Sequence, residues 1–179
     1  MYKNFDKILI NEKDLQLRVK ELADKISIDY KGKNPLFVCI LKGSVFFTAD
    51  LLRALSIPCQ MEFMAVSSYG KDTKSSGEVN LIKDLNVPIE NRHVVIVEDI
   101  VDSGNTLSYL KRLLEQRKPA SVKIITLLDK PSRRKVELVP EYCGFSIPDE
   151  FVVGYGLDYD EKYRNLPFIG VLKPEVYSN

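Results

Sequence analysis

The chain has 179 residues, 45% of them hydrophobic, with 26 basic against 25 acidic side chains. That length fits one domain with a core large enough to need no staples. The balanced charge removes the electrostatic case for a nucleic-acid or membrane-surface partner. The three cysteines, Cys39, Cys59 and Cys143, lack CxxC spacing, so neither a disulfide framework nor a zinc site is expected, and the thiols read as reduced. There is a single histidine, His93, which leaves Ser-His-Asp, Cys-His and multi-His metal chemistry poorly supported. No stretch approaches about 18 consecutive apolar residues and the N-terminus has no apolar leader, so a soluble cytoplasmic protein is expected.

In chain order, Leu15, Val19, Leu22, Ala23 and Ile26 share one helical face, predicting an amphipathic helix over 13–27. Leu36 to Leu41 is an unbroken apolar run and reads as a buried strand. Lys42-Gly43-Ser44 breaks it, and a largely apolar helix is predicted over 45–55. A second strand follows over 60–66, then the polar stretch SYGKDTKSSG at 68–77, which is either a lid or a disordered segment. Residues 78–83 can return as a strand. The central strand is predicted over 91–98, a helix over 106–117, a buried strand over 122–128 and a short strand at 151–153. This alternation predicts an α/β domain with a parallel sheet, with the first helix and the last 40 or so residues packing as a smaller appendage.

The chemistry concentrates in EDIVDSGNT, residues 98–106. Ligands bind at the carboxyl ends of strands in open parallel sheets, which is where Glu98 and Asp99 are expected. Ser103-Gly104-Asn105-Thr106 then opens a helix. Free N–H groups and the helix dipole at such a point suit one phosphate. The loop lacks the GxxxxGK[ST] spacing of triphosphate loops. Two acids beside a phosphate fit a target such as sugar hydroxyls or Mg²⁺. Asp102 reads either as a helix cap or as a general base.

Residues Val94 to Thr106 resemble the phosphoribosyl pyrophosphate signature of type I phosphoribosyltransferases: two acids closing an apolar strand, then a D-[ST]-G-x-T loop. Leu41-Lys42-Gly43 is similar to that family's pyrophosphate loop, and Ser68-Tyr69 to the start of its mobile catalytic loop. Leu127-Leu128-Asp129-Lys130, Phe151 to Tyr159, and Tyr163-Arg164 narrow the resemblance to the hypoxanthine–guanine phosphoribosyltransferases. The resemblance implies a twisted, mostly parallel sheet of about five strands flanked by helices. It also implies one domain over 1–179, with a core at about 30–130 and a small hood from about 1–12 and 131–179.

By that resemblance the chain would move the 5-phosphoribosyl group to N9 of hypoxanthine or guanine, with xanthine left open. It would form the nucleoside monophosphate and pyrophosphate in purine salvage, with Mg²⁺ as cofactor. Glu98 and Asp99 would bind the ribose hydroxyls directly or through metal, and Asp102 would handle the purine N7 proton. Ser103, Gly104, Asn105 and Thr106 would cradle the 5-phosphate. Leu41, Lys42 and Gly43, with a cis peptide at Leu41–Lys42, would meet pyrophosphate together with Arg164. Lys130 would donate to the purine O6, Phe151 would stack on the ring and the Val152 backbone would pair with its edge. Asp158 would line the purine pocket and bind a second Mg²⁺. The resemblance implies a homodimer or homotetramer, with no nucleic-acid or membrane partner. Two other readings carry less. An RNA-binding regulator on this fold wants a basic face that the balanced charge does not supply. A receiver domain would leave the phosphate loop unexplained.

Overall fold

The computed structural model describes residues 2–68 and 79–178. Strand β1 (Phe5–Ile10) leads through Asn11, whose side chain accepts from the Asp14 amide at 3.0 Å, into helix α1 (Glu12–Asp29). That cap satisfies one of the free amides of the first turn. The apolar run forms β2 (Leu36–Leu41), followed by α2 (Val45–Ala54), β3 (Gln60–Ser68) and β4 (Val79–Lys83). Next come β5 (His93–Val101), α3 (Asn105–Glu115), β6 (Ser121–Asp129) and β7 (Tyr142–Ser146). The chain closes with β8 (Val152–Val153), β9 (Ile169–Leu172) and α4 (Pro174–Tyr177).

Six strands form the main sheet in the order β4-β3-β2-β5-β6-β7. Five run parallel, and β4 returns antiparallel beside β3, with Val66 opposite Leu81. Alternating residues feed opposite faces, as strand geometry requires. Phe37, Val95, Val97, Ile125 and Leu127 pack with α1 and α2. Leu36, Val38, Ile40, Val94, Ile96 and Ile124 pack with Leu107, Leu110 and Leu114 of α3. From β2 the chain first adds β3 on one side and later β5 on the other. The carboxyl ends of β2 and β5 therefore meet where the winding reverses, the place an open α/β sheet offers a ligand. A second sheet, β1-β9-β8, joins the two ends of the chain around Phe5, Val153, Leu166, Phe168 and Leu172.

Three expectations change. Strand β5 runs on to Val101 rather than stopping at Glu98, because its last turn-ward residues still pair with β6, Ile100 opposite Leu128 and Val101 opposite Asp129. The acids therefore lie within the strand's final stretch instead of closing it. Helix α1 belongs to the core, since its buried face packs on the main sheet rather than on an appendage. Segment 131–179 is also not all hood, because β7 completes the main sheet beside β6. Among the described residues, no helix is long and apolar enough to cross a membrane.

Candidate active site

The β2 end supplies one wall. The Leu41–Lys42 peptide is cis, as the resemblance implied. Ser44 is fully buried and ties the turn back to the strand, its hydroxyl donating to the Ile40 carbonyl at 2.7 Å. Gly43 lies directly against Asp99: a Cβ there would overlap the Asp99 carboxylate. With glycine at 43, the Asp99 side chain can hold this position. The Lys42 ammonium pairs with Glu161 at 3.1 Å across the cleft.

The β5 end supplies the acids. Glu98 Oε2 is buried and has no hydrogen-bond partner. Desolvation, then the neighbouring Asp99 charge, pushes the Glu98 carboxyl well above its ordinary range. Asp99 is also raised, chiefly by desolvation, although it accepts the Ile100 amide at 2.7 Å. Two adjacent buried acids, one with an orphaned oxygen, crowd negative charge that a cation or hydroxyl donors would relieve.

Downstream, Gly104 caps α3 in the left-handed region, with φ 83° and no side-chain cap bond. With no cap side chain, the first turn keeps amides available to a ligand beyond that of Asn105. Glu98, Val101, Asp102, Ser103, Gly104 and Thr106 surround a cavity of about 140 Å³. Asn105, expected in the same cradle, does not line this cavity; its amide lies 3.4 Å from the Ser103 hydroxyl.

A larger cavity of about 410 Å³ adjoins it, sharing Ile100 and Asp102 as common wall. Lys130, Glu150, Phe151 and Val152 line it too. Lys130 is buried, and its ammonium donates to the Glu150 carbonyl at 2.7 Å. Phe151 remains 38% exposed. Asp158 and Arg164 form a 2.8 Å ion pair, and Arg164 also donates to the Gly156 carbonyl at 2.7 Å. Glu161 lies 3.5 Å from Arg164 as well as near Lys42, so one carboxylate links both expected pyrophosphate cations. Tyr69 and the side chain of Ser68 lie outside the described residues.

Several residues here escaped the sequence reading. Arg133 donates to Asp102 Oδ1 at 2.8 Å. Arg134 bonds the Asp102 and Leu138 carbonyls and the Asp129 carboxylate, pinning segment 131–138 over the phosphate loop. The Lys135 amide adds a 2.9 Å bond to the Ser103 carbonyl. The run Arg133-Arg134-Lys135 was a visible signal, but its direction could not be read without the fold.

This arrangement is that of a phosphoribosyl transferase, and the chain belongs to that family: the phosphoribosyl transferase domain model matches residues 6–160. Within the family, the chain is similar over its full length to hypoxanthine–guanine phosphoribosyltransferases. The Bacillus subtilis enzyme of that name is 52% identical over 179 residues, covering 100% of this chain and 99% of the relative. The bifunctional protein TilS/HprT of Listeria monocytogenes is 55% identical over 178 residues, covering 99% of this chain. The chain spans only 28% of that longer protein. A crystal structure of a Staphylococcus aureus hypoxanthine phosphoribosyltransferase superposes with a TM-score of 0.97 at 52% identity, covering 100% of this chain and 97% of the other.

Proposed function

We propose that the chain transfers the 5-phosphoribosyl group from phosphoribosyl pyrophosphate to N9 of hypoxanthine or guanine, releasing pyrophosphate. The observation that carries this is the pair of adjoining cavities that share Asp102. One ends in free helix amides suited to a phosphate, the other in a flat aromatic and a buried lysine. A nucleoside monophosphate has that bipartite shape.

In this reading Ser103, Gly104 and Thr106, with Asn105 through its backbone, hold the 5-phosphate at the α3 N-terminus. Glu98 and Asp99 hold the ribose hydroxyls. Lys42 and Arg164 neutralise the leaving pyrophosphate, with the Leu41–Gly43 turn beneath it. Phe151 stacks on the purine and the Val152 backbone meets its edge. Lys130 donates to O6, and an ammonium can only donate, so it favours an oxo group over the amine of adenine. Asp102 exchanges the N7 proton as N9 forms its bond to C1 of the ribose. Holding N9 in line supplies much of the acceleration, and the segment following Ser68 would serve as the lid that keeps water from the cationic sugar.

The orphaned Glu98 oxygen beside Asp99 fits a hard divalent ion, which commonly binds through one or two carboxylates plus substrate oxygens. Bound Mg²⁺ would offset charge on the leaving pyrophosphate. Asp158 would serve a second ion, although its carboxylate is committed to Arg164 and the Glu161 amide. Among the described residues no group of three or more His, Cys, Asp or Glu forms a ready-made metal cage, so substrate oxygens would complete either site. The reading includes a cytoplasmic homo-oligomer. Three free cysteines suit a reducing compartment, and the partly exposed Phe46, Met61 and Ile82 are apolar surface that a second copy could cover.

The test is a transfer assay with purified chain, phosphoribosyl pyrophosphate, Mg²⁺ and hypoxanthine. Nucleotide and pyrophosphate are expected in equal amounts, with both stopped by a chelator and restored by excess Mg²⁺. Pyrophosphate release without nucleotide formation would overturn the transferase reading.

A further inference from the structure

The Phe151 ring is not free on both faces. Tyr177, in the four-residue α4, stacks on it with ring centroids 4.5 Å apart and planes inclined by 18°. Tyr159 packs perpendicular to it, with centroids 5.7 Å apart and planes inclined by 86°. Tyr177 also lines the 410 Å³ cavity that holds Lys130 and Asp102. Helix α4 is docked to the hood. The Lys173 amide donates to the Asn4 carbonyl at 3.0 Å, the Ser178 amide closes the turn on Pro174 at 2.9 Å, and Val176 packs with the Phe5–Phe168 cluster.

An aromatic ring held by only one edge contact can rotate about χ1 and χ2, and a ligand that stacks on it must then bear the cost of ordering it. A parallel neighbour on one face and a second ring perpendicular to it remove that freedom before the ligand arrives, in the stacked and T-shaped geometries aromatic pairs favour. Phe151 keeps 38% of its surface exposed despite both neighbours, so a stacking surface remains on the cavity side.

We propose that Tyr177 is a positioning residue for the purine: it backs the Phe151 ring so that the ring presents one fixed face to the base. This rests on the purine pocket reading given above. The role needs the ring and not the hydroxyl, which makes no hydrogen bond among the described residues. It belongs to base binding and not to the phosphoribosyl half, because among the described residues no side chain of α4 lines the 140 Å³ cavity or pairs with Lys42 or Arg164.

Steady-state kinetics with hypoxanthine and phosphoribosyl pyrophosphate on wild type, Tyr177→Ala and Tyr177→Phe test this. Tyr177→Ala should raise KM for hypoxanthine about tenfold. KM for phosphoribosyl pyrophosphate and kcat should stay within about twofold of wild type, and Tyr177→Phe should restore the hypoxanthine KM. An unchanged hypoxanthine KM in Tyr177→Ala would overturn the role. So would an equal rise in both KM values, which marks general disruption, or failure of Tyr177→Phe to restore. Wild type inactive with every 6-oxopurine would instead sink the functional reading, and this inference with it.

Discussion

In the proposed mechanism, the chemistry turns on Asp102. It stands on the wall shared by the two cavities, with one carboxylate oxygen held by Arg133. A carboxylate on that wall faces both cavities. Asp102→Asn keeps the shape and removes the base, so kcat should fall by about a hundredfold or more while both KM values change little. Near-normal turnover would take Asp102 out of the mechanism. Glu98 shows the opposite economy: its buried Oε2 lacks a hydrogen-bond partner, a cost to stability that a bound ligand would offset. Glu98→Gln should therefore melt a few degrees higher, roughly 2–5 °C, when free of substrate, yet lose most of its affinity for phosphoribosyl pyrophosphate. A variant that melts lower, as measured by calorimetry, would mean Glu98 is satisfied by the fold itself.

Among the elements, the junction of the β2 and β5 ends is the tightest. Gly43→Ala would drive a methyl group into the Asp99 carboxylate, which can swing away, whereas the backbone need not. Activity should fall by about tenfold or more, with the melting temperature moving by no more than about 3 °C; a large loss of stability with intact specific activity would contradict this. Farther out, Asp84 after β4 and Arg117 after α3 form a two-pronged pair at 2.8 and 2.7 Å. Arg117 holds the Asp84 carboxyl below its ordinary value of 3.8. A lowered carboxyl stabilises the fold above that value and loses its contribution as pH falls through the folded value. Both side chains are partly exposed, so the effect is below about 1 kcal/mol. Arg117→Gln should flatten the acid limb of stability below about pH 4, and an unchanged acid limb would show the pair to be idle.

At the scale of the whole molecule, what was legible depended on whether the signal was local. Val94 to Thr106 carries strand, acids, turn and helix start in one continuous stretch, so its position at a strand end and a helix N-terminus could be read directly. Where the strand stopped could not, because Ile100 and Val101 are held by pairing with β6, a contact the segment itself does not encode. Tyr142 to Ser146 hides as a strand because Cys, Gly and Ser interrupt its pattern, and it is held by β6 alongside. The stack of Tyr177 on Phe151 and the grip of Arg134 on the Asp102 loop join segments that only the folded chain brings together.

The central claim is that a 6-oxopurine is the acceptor and that Lys130 reads its oxygen. Equal hypoxanthine and adenine, offered together with phosphoribosyl pyrophosphate and Mg²⁺ and resolved by chromatography, test it in one reaction. The account predicts the hypoxanthine nucleotide in at least about hundredfold excess, more than an apolar pocket alone commonly achieves. Comparable amounts of the adenine nucleotide would contradict it.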